Sequence, residues 1–161
     1  KDTVEKFGKT AELLGELPKE SPFFYLMETA RNLCLVLEKK ADLGREIRLA
    51  YSQEDKETLQ EIANIKIPVL LQRLQDFYQS FRTQWNLENK SFGFEVQTVR
   101  IGGLLQRLKD VQEILNAYLR EEISGIAELN EPQKAFHYFE QNEIRSLNYN
   151  LWTDIVSPSK I

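Results

Sequence analysis

The chain has 161 residues, 42% of them hydrophobic and 29% charged, which is enough for one domain with a full core and too few for two comfortable ones. A net charge of −4 and a pI near 5.2 provide no long-range attraction for nucleic acid or an anionic membrane. No apolar run approaches the roughly 18 residues of a membrane span, and the single cysteine, Cys34, excludes an internal disulfide and a metal site made of several thiolates.

The beginning of the chain already has helical spacing, at Val4, Phe7, Ala11 and Leu14. Because it also lacks an initiator methionine, we expect a piece cut from a longer protein. Ser21 and Pro22 then form a good helix start, since a hydroxyl can cap free N–H groups and proline is harmless at the first position. Apolar residues at steps of three and four predict a long helix near 23–50.

A second long helix is predicted near 53–83. Ser52, followed three residues later by Asp55, approximates a capping box at its start. Pro68 removes one hydrogen bond from the helical ladder, so we expect a kink or a short gap there.

The third long helix is predicted near 95–123 and contains the adjacent glycines Gly102 and Gly103. Gly125 is expected to end it. Alternation of Phe92, Phe94 and Val96 leaves open a strand ahead of the helix. One continuous helix is favoured because the apolar stripe stays in phase through the residues Val96, Val99, Gly103, Leu104, Leu108, Val111, Leu115, Tyr118 and Leu119.

The two glycines need an explanation, because each costs a helix interior about 1 kcal/mol relative to alanine. They fall beside the predicted buried stripe, where a missing side chain lets another backbone approach closely. We therefore predict that Gly102 and Gly103 are helix-packing positions at a close contact with a neighbouring helix.

After Pro132 the periodicity fades, and the final residues predict an irregular tail anchored by Trp152. The fold class predicted for residues 1–161 is therefore all-α: a single helical domain, a bundle of long helices with this tail.

Residues suited to catalysis are scarce. His137 is the only histidine, so a metal cluster made of several imidazoles is excluded. Because the sequence offers no further residues that would form a site with it, we predict that His137 faces solvent. No phosphate-binding glycine motif is present, and the many carboxylates lie on polar helix faces. We predict no catalytic residue, no metal site and no cofactor.

Two stretches carry a family resemblance: KADLGREIRLAY at 40–51 and the run from Trp85 to Leu104 with its spaced residues W-x-x-E-N-K-x-F-G-F-E-V-x-x-x-R-x-G-G-L. Together with flanking segments over nearly the whole chain, they resemble the carboxy-terminal helical domain of a bacterial subgroup of family 20 glycoside hydrolases, the exo-acting β-N-acetylhexosaminidases.

The resemblance implies that the catalytic machinery lies elsewhere in a larger enzyme. Members of that family use an adjacent Asp-Glu pair on a (β/α)8 barrel to release terminal N-acetylglucosamine or N-acetylgalactosamine from glycans. This chain has no Asp-Glu dipeptide and no alternating βα pattern. The expected partner is an upstream catalytic barrel of the same polypeptide, which this non-catalytic domain would support.

The stretch from Trp85 to Arg100 has two readings. Its aromatic residues either fill helix junctions, with Glu95 paired to a nearby arginine, or they form an interface with the barrel or with a second subunit in a homodimer. The interface or binding candidates are Trp85, Asn89, Phe92, Phe94, Glu95 and Arg100.

A stand-alone helical protein–protein interaction module is the alternative function. Residues ahead of Lys1 would separate the two, since only a glycosidase domain demands a barrel there. Neither nucleic acid nor a membrane is an expected partner, and a cytoplasmic location is expected, although the parent enzyme could also be cell-surface or secreted.

Overall fold

A computed structural model describes residues 2–131. Its elements in chain order are α1 (Asp2–Gly15), α2 (Phe24–Lys40), α3 (Leu43–Ser52), α4 (Lys56–Glu61), a π-helical segment (Ile62–Lys66), α5 (Ile67–Glu88), α6 (Phe94–Leu119) and α7 (Ala127–Asn130). No strand occurs within 2–131, so the all-α prediction is confirmed and the strand alternative at 92–96 is wrong. The predicted tail lies outside the described residues.

The chain divides into two compact units, Lys1–Ile126 and Ala127–Ile161. In the first unit, α1 packs on α2, α2 on α5 and α5 on α6, while α4 contacts both α3 and α6. In the second unit, α7 is the only helix within the described residues. The single domain predicted over 1–161 therefore stays a prediction.

The core of the first unit is deepest where α4, the π-helical segment and α5 follow one another. Five side chains there have no exposed surface: Leu59, Ile62, Ala63, Ile67 and Leu70. Fully burying a leucine or isoleucine contributes about 1.5–3 kcal/mol. This run of chain forms the centre of the core of the first unit.

The first long helix predicted from the sequence is divided in the structure. A turn at Ala41 and Asp42 separates α2 from α3, and Asp42 begins α3 without a side-chain capping bond. Helix α2 itself begins at Phe24, one residue after the predicted start, and the Ser21 hydroxyl accepts a hydrogen bond from the Phe23 N–H at 3.3 Å. Leu43 and Ile47 of α3 are buried. Because these residues continue the apolar spacing of α2 across the turn, periodicity alone did not reveal that the helix is interrupted.

The second predicted helix is continuous from Lys56 to Glu88, and its start is shifted from the prediction. Ser52 ends α3, whereas Asp55 caps α4 by accepting hydrogen bonds from the N–H and the hydroxyl of Thr58. Pro68 causes no gap, because the preceding turn widens to a π-helix in which the Ile67 N–H donates to the Ile62 carbonyl.

The third predicted helix exists as α6 but ends before Gly125. Its last turn closes at Glu121, which takes the left-handed conformation with φ 60° and donates its N–H to the Tyr118 carbonyl. The next N–H, of Glu122, bonds the Ala117 carbonyl at 2.9 Å. This is a Schellman cap made without glycine, so the expected role of Gly125 is wrong.

Candidate functional site

The candidate residues meet where α5 ends and α6 begins. Asn89 is exposed and ends α5, where its N–H donates a 2.8 Å hydrogen bond to the Trp85 carbonyl. The half-buried Trp85 indole in turn donates to the Lys90 carbonyl at 2.9 Å. Both contacts are local, so Asn89 and the polar edge of Trp85 hold the turn between the helices.

Gly93 completes this turn and begins α6. Its φ of 96° lies in the left-handed region, and a Cβ placed there would approach Trp85 Cζ2 to 3.3 Å. Only glycine has both the conformation and the room at this position. The Gly93 N–H donates to Glu95 Oε2 at 2.7 Å. Glu95 therefore binds the first turn of its own helix, where a carboxylate also meets the favourable end of the helix dipole; the predicted arginine pair is wrong.

Phe94 is a core residue. Its side chain is 7% exposed, and its ring centroid lies 5.5–5.7 Å from those of Tyr78, Phe81 and Trp85. These tilted and edge-on arrangements are favourable for aromatic pairs. Phe94 therefore fills a helix junction, as the packing interpretation proposed. The half-buried Trp85 belongs to the same aromatic cluster.

Phe92 has the opposite environment, although it lies only two residues away. It is 84% exposed, so it contributes almost nothing to the core of its own unit. Arg100 lies between the two extremes, half-buried on α6. Of the three aromatic candidates, Phe92 is the one whose surface is available to a partner.

Gly102 and Gly103 lie inside α6, as predicted, but on its exposed side. An ideal Cβ on either glycine would meet no atom within 4 Å. The predicted close contact with a neighbouring helix is therefore wrong for the part of the chain that the structure describes. Together the two residues cost α6 about 2 kcal/mol of helix propensity relative to alanine.

The apolar stripe predicted for α6 is correct only in its second half. Leu108 and Leu115 are buried, whereas Val96 and Val99 are 37% and 52% exposed. Sequence reasoning placed these valines in the core because they continue the same spacing. The exposure of these valines, like that of the glycines that follow them, became apparent only in the structure.

The titratable groups of the described helices show structural roles. Arg73 Nη1 on α5 donates to Glu38 Oε2 of α2 at 2.5 Å and to the Leu35 carbonyl at 2.6 Å. Burial by itself would raise the pKa of Glu38, but hydrogen bonds from Arg73 and Lys39 outweigh it and hold that pKa below its ordinary value. The Arg73 and Glu38 pair therefore joins α5 to α2.

Other chemical features are few between residues 2 and 131. Burial raises the pKa of the half-buried Cys34 thiol, which disfavours the reactive thiolate. Within that range, three or more metal-binding side chains nowhere gather around one point. Nor does any helix described there combine the length and hydropathy required to cross a membrane. His137 and Trp152 lie outside the described residues.

The geometry is that of a helical packing domain in which α6 leaves Val96, Val99 and its two glycines exposed. Comparison with known families agrees with the sequence resemblance. Residues 2–148 match the family described as the glycoside hydrolase 20C C-terminal domain. The chain belongs to this family. No curated protein matches it.

Membership confirms the predicted resemblance to the C-terminal domain of a family 20 glycoside hydrolase. Because the match covers almost the whole of the chain, the 20C C-terminal domain accounts for its sequence from α1 onward. It also fits a catalytic domain in the same polypeptide.

Proposed function

We propose that this 20C C-terminal domain is the non-catalytic helical part of an exo-acting β-N-acetylhexosaminidase and that it supports the catalytic barrel of the same polypeptide. The parent enzyme would remove terminal N-acetylglucosamine or N-acetylgalactosamine from glycans. The match to the family over residues 2–148 carries the proposal. It is supported by a described region whose regular structure is helical throughout.

The direct test compares the complete polypeptide with the 161-residue chain on a chromogenic N-acetyl-β-glucosaminide. We expect hydrolysis by the complete polypeptide and none by the chain alone. Hydrolysis by the isolated chain would contradict the non-catalytic assignment. A complete polypeptide that is inactive on both the N-acetylglucosaminide and the N-acetylgalactosaminide would contradict the parent activity.

Homodimerisation is a second proposed role, and Phe92 is the observation that favours it. Its 84% exposure offers an aromatic contact, whereas Phe94 is 7% exposed and unavailable to a second subunit. Sedimentation of the complete polypeptide and a Phe92→Ser variant measures this role. A mass that stays monomeric at high concentration would exclude it.

An interaction module without a glycosidase is the alternative function, favoured by the exposed side chains of Phe92, Val96 and Val99. The two assignments differ in what precedes Lys1 in the natural polypeptide. A catalytic barrel there supports the glycosidase, and its absence supports the interaction module. A cytoplasmic location belongs to the proposal, and fractionation of the source cells tests it.

A further inference from the structure

One face of α6 has a pattern that its own unit does not use. Val96 and Val99 are three residues apart, the adjacent Gly102 and Gly103 follow three and four residues after Val99, and all four are exposed. The core side of the same helix carries Leu108 and Leu115, which lie on the opposite side by helical spacing. We call the four exposed residues the α6 outer face.

The α6 outer face is costly for a surface that meets only water. Two glycines inside a 26-residue helix lower its helix propensity relative to alanine. An ideal Cβ at either position finds open space, so no contact made by the described residues offsets that cost. A glycine in a helix is useful where a second backbone must come close.

We propose that the α6 outer face packs against the polypeptide that precedes this domain in the same chain, the catalytic part of the parent glycosidase. The inference rests on the proposed function and adds the surface through which the two parts meet. A helix of the catalytic part would cross at the glycines, with its apolar side chains against Val96 and Val99.

The small size of the face favours a tethered partner over a second copy. Two partly exposed valines and two glycines offer less surface than one exposed aromatic side chain, which buries about 200 Å² on contact. Separate proteins that form a stable complex bury about 800 Å² per partner. A segment of the same polypeptide needs less, because the covalent connection supplies a local concentration on the order of millimolar.

The test is made in the complete polypeptide and compares Gly103 with an exposed helical glycine outside the α6 outer face. Gly44 in α3 is also helical, exposed and free of any atom within 4 Å of an ideal Cβ. We expect Gly103→Leu to lower the melting temperature by at least about 2 °C and to speed amide hydrogen exchange in α6. Gly44→Leu should leave the melting temperature unchanged or raise it.

Alanine variants keep the test decisive if Gly103→Leu does not fold. A methyl group at a close contact destabilises, whereas at a free helical position alanine stabilises. A Gly103→Ala variant whose melting temperature rises as much as that of Gly44→Ala would overturn the proposal. So would a wild-type dimer that dissociates in Gly103→Leu, since a second copy would then occupy the face.

Hydrolysis of the chromogenic N-acetylglucosaminide by the wild-type polypeptide separates this proposal from the one on which it rests. If the wild-type polypeptide hydrolyses no substrate, the proposed parent activity is wrong, and this is known before any variant is made. Normal hydrolysis together with equal responses at Gly103 and Gly44 would reject the docking face alone.

Discussion

The side-chain amide of Gln112 on α6 donates a 2.7 Å hydrogen bond to the backbone carbonyl of Ala63 in the π-helical segment. That carbonyl has lost its backbone donor for two reasons. The Ile67 N–H is bonded to the Ile62 carbonyl, and the next residue, Pro68, has no N–H. Since Ala63 is fully buried, water cannot replace the missing donor, and Gln112 supplies it from another helix.

Replacing Gln112 by leucine should therefore destabilise the chain by about 1–3 kcal/mol, the cost of a buried acceptor without a partner. Urea denaturation measures the difference. Gln106→Leu is the matched control, because Gln106 is exposed on the same helix and bonds only Asp110 one turn away. Equal losses in the two variants would show that the Ala63 carbonyl does not depend on Gln112.

A Glu54→Gly variant should be stabilised by up to about 1 kcal/mol. Glu54 follows α3 with φ 54°, in the left-handed region, and its N–H and that of Asp55 close a Schellman cap on the Tyr51 and Ala50 carbonyls. This conformation costs a non-glycine residue about 1–2 kcal/mol, and the greater freedom of glycine in the unfolded chain returns part of the gain.

Thermal unfolding measures the effect of Glu54→Gly. Glu57→Gly, three residues later inside α4, serves as the control and should lose about 1 kcal/mol. A loss of stability in both variants would contradict the role assigned to the φ angle of Glu54.

Phe94 and Phe92 should respond to alanine in very different ways. Phe94→Ala removes a buried ring from the aromatic cluster and should cost about 3–5 kcal/mol in unfolding free energy. Phe92→Ala should change it by no more than about 0.5 kcal/mol, since the side chain is 84% exposed. Chemical denaturation of the 161-residue chain compares the two, and similar losses would place Phe92 in the core against the structure.

Stability should fall in acid partly through Glu38. Its pKa in the folded chain is lowered, so its contribution is complete above the unfolded value of about 4.3 and is lost as the pH falls through the folded pKa. Denaturation midpoints measured from neutral pH down to pH ~3 should decline less steeply in Glu38→Gln than in the wild type.

The control for Glu38→Gln is Asp2→Asn. Asp2 pairs with Lys6 at the surface, where both side chains are more than two thirds exposed, and such pairs contribute little. A decline as steep in Glu38→Gln as in Asp2→Asn would mean that the Arg73 pair does not govern the acid response.

The spacing of apolar residues was sufficient to predict that the helices exist, but it was not sufficient to predict where they begin and end. Spacing of three and four predicted helices on either side of Pro68 because a buried face recurs with every turn. It did not predict the turn at Ala41 and Asp42, since Leu43 and Ile47 continue the spacing across it. Nor did it predict that glutamates at 54 and 121 would take the cap positions that glycine normally fills.

By itself the sequence determined that the described region is helical and, through the run from Trp85 to Leu104, the family to which the chain belongs. Both depend on residue identities and short spacings. Only the tertiary structure decided which side of α6 faces the core, because Val96 and Val99 fit the apolar spacing whichever face is buried. The tertiary structure also decided that Phe92 is exposed and Phe94 buried. The chain turns at Gly93 with φ 96°, so the Phe92 ring stays outside and the Phe94 ring joins the aromatic cluster.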